Sequence, residues 1–263
     1  MAPLLYFSYG MTKTGSTLAF ELARSGLDLC GYPQDPVQLA GVATDARVNF
    51  VNTLPQAELE NLARHVDKLG HPLALKTHAR PPKNLAAMVE NGTALVQVSY
   101  RDPRDMALSM LDHGTRARAS GNQSFSELQT LDQTMDNIRQ QFETLSLWLR
   151  LPHVLPLYFE DVGFSTKATA TRILPRLGLN LDATTLAEVV HQHRFTQKNK
   201  AQALRYPEEM DAEQARAIAE EFAPFITRFI TNRSTLPTDG RPLLAPNESL
   251  RQDAGHLQQN QRP

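Results

Sequence analysis

A glycine-rich loop near the start of the chain carries residue types that bind phosphate. Residues 10–17 read Gly-Met-Thr-Lys-Thr-Gly-Ser-Thr, which fits the spacing G-x-x-x-x-G-x-[ST]. An ATP-binding loop has its lysine directly after the second glycine, where it reaches the β- and γ-phosphates. That position is Ser16 here, and the lysine is Lys13, inside the loop. The loop is therefore predicted to hold a 5′-phosphate, with Lys13 beside that phosphate rather than on a β/γ pair.

The segments on either side of this loop predict how it is presented. An apolar run over residues 3–9 predicts a buried strand, and residues 16–24 predict a helix. A strand, loop and helix in this order direct several backbone N–H groups and a helix N-terminus at an anion. Thr14, Gly15, Ser16 and Thr17 are accordingly predicted to contact the 5′-phosphate through backbone and hydroxyl groups.

A second segment, residues 98–109, reads Val-Ser-Tyr-Arg-Asp-Pro-Arg-Asp-Met-Ala-Leu-Ser. The alternating apolar run over residues 94–100 predicts a strand, so Arg101 comes at its carboxyl end, where open α/β sheets bind ligands. Pro103 is suited to the first turn of a following helix. Arg101 could grip a phosphate through two N–H groups, and Ser109 could add a hydroxyl from two turns into the helix.

Together, the two segments resemble the sulfotransferases that use 3′-phosphoadenosine 5′-phosphosulfate (PAPS). The loop of that family reads roughly P-K-S-G-T-T-W, and residues 12–18 here read T-K-T-G-S-T-L. The family's 3′-phosphate segment is a strand ending in arginine, then x-P-[KR]-D, then a serine eight residues after the arginine. The resemblance implies a divergent bacterial member with Lys13 on the leaving group and Arg101 and Ser109 on the 3′-phosphate.

The resemblance also implies a fold and a reaction. The expected fold is a three-layer α/β fold with a mostly parallel central sheet, the P-loop NTPase-like fold of sulfotransferases. The expected reaction moves a sulfuryl group from PAPS, the co-substrate, to a hydroxyl or amine of a small-molecule, lipid or carbohydrate acceptor, without a metal. An ATP-dependent small-molecule kinase and an inactive nucleotide-binding scaffold on the same fold are the alternatives.

Two residues are candidates for the base that takes the acceptor's proton. Residues 75–78, Leu-Lys-Thr-His, resemble the K-[ST]-H of the cytosolic branch, whose histidine is the general base. An ordinary histidine would make the rate rise with pH through about 6 to 7. The other candidate is Glu21, eight residues after Lys13 and one helical turn after Thr17, although it could instead pair with Arg24. The sequence leaves this choice open.

Three departures from the family pattern leave parts of the site unassigned. Leu18 replaces the aromatic residue that commonly stacks on adenine, and Phe159 occupies the usual tyrosine place in residues 157–161. The late R-K-G-x-x-G-D-W segment, which completes the 3′-phosphate site, is absent. Candidates to replace it are Lys198, Lys200 and Arg205, within the basic stretch 194–205.

Composition narrows the class of protein. The chain has 263 residues, 41% hydrophobic and 21% charged, with a net charge of −1. This is ordinary globular usage, and no overall basic field indicates nucleic acid as a partner. The one cysteine, Cys30, rules out an internal disulfide. The absence of a membrane span and a targeting segment predicts a cytoplasmic protein; the oligomeric state stays open.

The chain is predicted to form one sulfotransferase domain over residues 1–234. A polar tail over residues 235–263 is expected to be either disordered or wrapped around the domain. Within the domain, strands alternate with helices, which indicates a parallel sheet covered on both faces. A helix is predicted over 103–113, a mobile polar loop over 114–123, and a long helix over 124–149.

Overall fold

A six-stranded sheet forms the centre of the computed structural model. The structure describes residues 4–37, 44–45, 49–121, 123, 125–194 and 202–252. The strands, in chain order, are β1 Leu5–Gly10, β2 Thr44–Asp45, β3 Phe50–Val51, β4 Leu73–Thr77, β5 Ala94–Tyr100 and β6 Leu155–Tyr158. Their order across the sheet is β2-β3-β4-β1-β5-β6. Every neighbouring pair is parallel except β2 with β3.

The register of the three central strands brings the predicted site segments to one edge of the sheet. Within β1, Tyr9 lies opposite Thr77 of β4, and Gly10 lies opposite Ser99 of β5. The strands are parallel, so the residues that follow each of them emerge at the same edge. These are the phosphate-binding loop, His78 and Arg101.

Helices cover both faces of the sheet. In chain order they are α1 Ser16–Leu29, α2 Gln56–Leu69, α3 Leu85–Glu90, α4 Pro103–Ser120, α5 Leu131–Leu149, α6 Phe159–Phe164, α7 Thr166–Arg176, α8 Ala183–His193, α9 Tyr206–Glu209, α10 Ala212–Glu221 and α11 Ala223–Phe225. A π-helical turn, Ile226–Thr231, and a 3₁₀ turn, Arg233–Thr235, follow α11. None of the helices in the described part of the chain is both long and apolar enough to cross a membrane.

Two apolar cores lie between the sheet and the helices on its two faces. Successive side chains of β1 point into one core or the other. Tyr6 packs in the core formed with α1, α7 and α8. Phe7 and Tyr9 pack on the opposite face of the sheet, with α5 and the α10–α11 segment. This alternation follows from the two-residue period of a strand. The predicted three-layer α/β fold with a mostly parallel sheet is confirmed.

Two predicted boundaries around residue 120 are wrong. The predicted mobile loop 114–123 is mostly helix, because α4 continues to Ser120 and ends at Gly121 in the left-handed conformation. Gly114 permits this course, since a Cβ there would lie 2.6 and 2.7 Å from the carbonyl oxygens of Phe125 and Leu128. The long helix then begins at Leu131 rather than 124, since Thr130 forms a capping box with Gln133.

The segment after residue 235 packs on the domain as far as residue 252. Leu243, Leu244 and Leu250 are buried in the core beside α5. The backbone N–H of Leu244 donates to the carbonyl of Leu149 at 3.0 Å. Residues 236–252 therefore wrap around the domain, while 253–263 lie outside the described residues. The division into a domain and a tail stays a prediction.

Candidate active site

The phosphate-binding loop has a backbone shaped to receive an anion. Lys13 and Gly15 both have positive φ, 65° and 70°, and alternation of this kind turns successive N–H groups to one side. No side chain of the described residues caps the N-terminus of α1, so its first N–H groups are open to a ligand. Position 10 has no room for a side chain, because a Cβ there would lie 2.6 Å from the Ser16 Cβ. The loop fits a phosphate group.

Side chains beneath the loop hold its shape. The Thr14 hydroxyl donates to the Met11 carbonyl at 2.6 Å and lies 3.0 Å from the Ser99 hydroxyl. The Thr14 hydroxyl therefore faces the protein, and the predicted contact of Thr14 with the phosphate would be made through its backbone. The Thr12 N–H donates to the Gln141 side chain at 2.6 Å. Gln141, on α5, has no sequence signal that would have indicated this role.

Lys13 is partly buried among cationic groups. Its Nζ lies 3.2 Å from Nδ1 of His113 on α4 and 5.9 Å from the centre of the Phe125 ring. Burial, together with the charges of Arg116 and Arg101, lowers the pKa of Lys13 to about 8. Lys13 is therefore poised to gain stabilisation from an incoming polyanion, which would offset the neighbouring positive charge.

His78 follows β4 and turns back onto the loop. Its Nδ1 bonds to the carbonyl of Gly10. A carbonyl can only accept, so Nδ1 carries the proton and Nε2 presents a lone pair. Nε2 lies 3.4 Å from Nζ of Lys76, and the ring packs edge-on against Phe50 at 5.1 Å.

This environment keeps the His78 imidazole neutral. Burial first, and then the Lys76 charge, lower the pKa of His78 to about 3, against the opposing effect of the Gly10 carbonyl. The structure thus revises the expected rise in rate near pH 6 to 7. His78 is therefore neutral throughout the physiological range and has the tautomer that can accept a proton at Nε2, although its low pKa makes it a weak base.

Glu21 lies in a different environment from His78. Its buried carboxylate accepts from Nε of Arg24 at 3.1 Å, and the second oxygen has no hydrogen-bond partner among the described residues. Burial raises the pKa of Glu21, while Arg24 and Arg194 act to lower it. Arg194 itself bonds Ser25 and Asp28, further along α1. The carboxylate is thus directed to the Arg24–Arg194 group, as the alternative pairing predicted.

Arg101 lies at the carboxyl end of β5, where the strand register predicts it. Its guanidinium stacks on the Phe159 ring, 3.8 Å from the ring centre, and Nη2 donates to the Gln202 carbonyl at 3.4 Å. Asp105 and Glu160 approach it to 3.7 and 3.8 Å. Nε of Arg101 is buried without a hydrogen-bond partner among the described residues. The guanidinium retains donor capacity for a phosphate.

The carboxylates beside Arg101 were not identified from the sequence. Burial raises the pKa of both Asp105 and Glu160, although Arg101 acts to lower both. A phosphate that binds Arg101 must share the guanidinium with these groups or displace their charge by protonation. The motif spacing contained Asp105, but only its burial beside Arg101 shows that it competes with a ligand.

Ser109 and the chain around residue 205 complete this side of the site. Ser109 is buried on α4, one turn beyond Asp105. Asp105 accepts from the Tyr206 N–H at 2.9 Å. Arg205 bonds Asp112 at 2.7 Å and Glu209 at 2.6 Å, so it is committed to carboxylates and is a poor substitute for the missing 3′-phosphate segment. Lys198 and Lys200 lie outside the described residues.

A cavity of about 300 Å³ opens beside His78 and the loop. Its walls come from the end of β1, the loop, the turn before α5 and one face of α5. The lining residues are Tyr9, Gly10, Thr12, His78, Phe125, Asn137, Gln140, Gln141 and Thr144. Most of these side chains are uncharged hydrogen-bonding groups, so the cavity is suited to a small polar molecule.

This fold and site define a class of protein: an α/β protein with a mostly parallel sheet and a lysine inside the glycine-rich loop that follows its first strand. The family model described as "Sulfotransferase domain" matches residues 7–231. The chain therefore belongs to the sulfotransferase family. No curated protein matches the sequence significantly.

Solved structures with the same fold are sulfotransferase-like proteins of low sequence identity. Mouse sulfotransferase SULT7A1 complexed with PAP is 15% identical with a TM-score of 0.53, over 89% of this chain and 88% of that chain. Retinol dehydratase in complex with androsterone and inactive cofactor PAP is 16% identical with a TM-score of 0.51, over 94% and 84%. At these identities the likeness concerns the fold.

Proposed function

We propose that this sulfotransferase moves the sulfuryl group of PAPS to a hydroxyl of a small polar acceptor. The observation that carries the proposal is that a neutral His78 bonds to Gly10, at the start of the phosphate-binding loop that carries Lys13. This pairs a proton acceptor with a cation for the leaving group. The PAP bound in the structural relatives agrees with the choice of donor.

Each proposed role follows from the chemistry of the transfer. The acceptor oxygen attacks sulfur in line, and the bond from sulfur to the 5′-phosphate oxygen breaks with its electron pair. The acceptor proton passes to Nε2 of His78, and Lys13 stabilises the charge that develops on the leaving oxygen. Gly15, Ser16 and Thr17 would hold the 5′-phosphate through backbone N–H groups, and through the hydroxyls of the last two.

Arg101 and Ser109 are proposed to bind the 3′-phosphate. The position of Arg101 directly after β5, at the edge of the sheet where the phosphate-binding loop also lies, supports this role. Hydrogen bonds to charged groups contribute about 1.5–3 kcal/mol. Because Asp105 and Glu160 already approach the guanidinium, the binding free energy that Arg101 adds for the phosphate should lie near the lower end of this range. Phe159 stacks on Arg101 and would hold the guanidinium in a fixed orientation toward the ligand.

The acceptor is proposed to be an uncharged molecule with several hydroxyl or amide groups. Asn137, Gln140 and Thr144 line the cavity beside His78, and unpaired amides next to an apolar ligand would be costly. Phe125 also lines the cavity and can cover one apolar face of such a ligand. A monosaccharide or amino sugar meets both requirements better than a sterol does.

The kinase alternative is less well supported. It would need a lysine in place of Ser16 and an acidic residue free to hold Mg²⁺. Asp102 caps α4 through the Arg104 N–H and also pairs with the Arg104 side chain at 2.5 Å. Asp161 lies 3.6 Å from Arg233. Both carboxylates therefore have structural partners.

Thermal denaturation with nucleotides tests the proposed donor. Adenosine 3′,5′-bisphosphate should raise the Tm without Mg²⁺, and ATP with Mg²⁺ should raise it less. Arg101→Ala should weaken bisphosphate binding about 10–100-fold and leave adenosine 5′-phosphate binding nearly unchanged. Arg216→Ala, an exposed arginine on α10, is the matched control. Equal losses for both nucleotides would refute the assignment of Arg101 to the 3′-phosphate.

A further inference from the structure

A second, larger cavity lies along the outer edge of β6, with a volume of about 760 Å³. α7 forms one wall, and the chain from Thr231 to Arg241 forms the other. Among the described residues, four arginines and one carboxylate line it: Arg172, Arg176, Arg233, Arg241 and Asp161. Since the whole chain has a net charge of −1, this edge groove is a local concentration of positive charge.

Three of the four arginines form a hydrogen bond or an ion pair with another group of the protein. Arg172 donates to the Pro156 carbonyl at 2.7 Å, on the outer edge of β6. Arg233 lies 3.6 Å from Asp161 and over the Tyr158 ring. Arg241 lies 3.4 Å from Asp239, at the exposed rim. These contacts shape the groove but leave one guanidinium unexplained.

That guanidinium belongs to Arg176, in the last turn of α7. Its Nε and Nη2 are buried and have no hydrogen-bond partner among the described residues. A position near a helix C-terminus is favourable for a cation, but it does not supply acceptors for these two donors. Buried donors of a charged group are destabilising when they are left unpaired. An anion in the groove would not reach these two buried atoms, but it would offset the charge of the guanidinium, which lines the groove and pairs with no carboxylate of the described residues.

The edge groove is separate from the phosphate-binding loop. Arg176 interacts with Tyr6, near the start of β1. Tyr6 precedes Gly10, where the loop begins, by four positions, which corresponds to about 13 Å along a strand. The groove also lies outside β6, whereas the loop lies beyond the carboxyl ends of β1 and β5. A ligand here would not contact Lys13.

We propose that this edge groove binds a small organic molecule through a sulfate or phosphate ester group placed on Arg176. The volume is that of a site for a small ligand rather than for a lone ion. An added peptide strand is disfavoured, because Pro156 lacks an N–H and its carbonyl is already bonded to Arg172. The proposal does not depend on the identity of the sulfuryl acceptor.

Calorimetric titration of the full chain tests the proposal, with adenosine 3′,5′-bisphosphate present at saturation. The titrants are glucose 6-sulfate, glucose and inorganic sulfate. Glucose 6-sulfate should bind with an affinity that depends on Arg176, any binding of glucose should be the same in Arg176→Gln as in the wild type, and inorganic sulfate should bind at least about fivefold more weakly than glucose 6-sulfate because it leaves most of the groove empty. Arg176→Gln should lower the affinity for glucose 6-sulfate at least about tenfold.

Two further variants keep the test decisive if Arg176→Gln is destabilised. Arg172→Gln removes an exposed charge from the same groove and should lower the affinity about threefold. Arg216→Gln, on α10, should leave it unchanged. The proposal is overturned if glucose 6-sulfate does not bind the wild type, or if it binds both groove variants as tightly as the wild type. Equal affinity for inorganic sulfate would overturn the proposed organic ligand.

Discussion

Replacing His78 should remove a specific part of the protein's acid sensitivity. Burial and Lys76 lower the pKa of His78 from 6.5 to about 3. In the unfolded chain the imidazole gains a proton below pH 6.5, while in the folded protein it stays neutral until about pH 3. The stability of the fold must therefore fall as the pH drops through this window.

The size of this loss follows from the two pKa values. At pH 5 the unfolded histidine is almost fully protonated and the folded one is not, which corresponds to about 2 kcal/mol relative to pH 7. Partial exposure of the ring makes this an upper figure. His78→Gln has no titrating group at this position. Between pH 7 and 5, the free energy of unfolding of the variant should therefore fall by about 1–2 kcal/mol less than that of the wild type.

Urea denaturation at pH 7, 6 and 5 measures this difference. His65→Gln, a histidine on α2, provides the baseline for losing an imidazole elsewhere. The difference between the His78→Gln and wild-type curves should grow steadily below pH 6.5. Parallel curves would show that the histidine is not held neutral by Lys76 and burial, and the proposal that it serves as the base would lose its electrostatic support. Proton NMR of the ring should agree, with no titration between pH 5 and 8.

Other perturbations test the remaining features. Because the pKa of Lys13 is lowered to about 8, bisphosphate binding at pH 9 should take up a proton, measured by calorimetry in buffers of different ionisation enthalpy; uptake that persists in Lys13→Ala would assign the proton elsewhere. Glu21→Gln should keep more than half of the turnover, and a loss above tenfold would make Glu21 the base. Gly114→Ala should lower the free energy of unfolding by about 1–3 kcal/mol, because the new Cβ meets two carbonyl oxygens of the following turn. Gly163→Ala, whose Cβ would meet its nearest neighbour at 3.9 Å, is the control and should be neutral.

The sequence predicted elements whose signals are local. The apolar runs of β1, β4 and β5, the glycines of the loop and the proline that begins α4 each specify backbone conformation within a few residues. Parallel strands then bring the residues that follow them to one edge, so the proximity of Lys13, His78 and Arg101 to that edge was predictable. The end of α4 was not, because Gly114 is tolerated there only by its close approach to a later turn.

The protonation states and hydrogen bonds of the site depend on contacts between residues that lie far apart in the sequence. The tautomer of His78 comes from a carbonyl 68 residues earlier in the chain, and its low pKa comes from burial. Gln141 and Trp148 of α5 hold Thr12 and the carbonyl of Ala79, the residue after the histidine. These contacts cross from one layer of the fold to another.

The sequence by itself thus determined the class of fold, the loop for a phosphate and the edge of the sheet where chemistry can occur. The tertiary structure decided which candidate base is neutral and faces the loop, which carboxylates share Arg101, and that two donors of Arg176 are buried without a partner among the described residues. The physical reason is that backbone conformation follows from nearby residues. Protonation and hydrogen bonding follow instead from whichever groups folding brings together and removes from water.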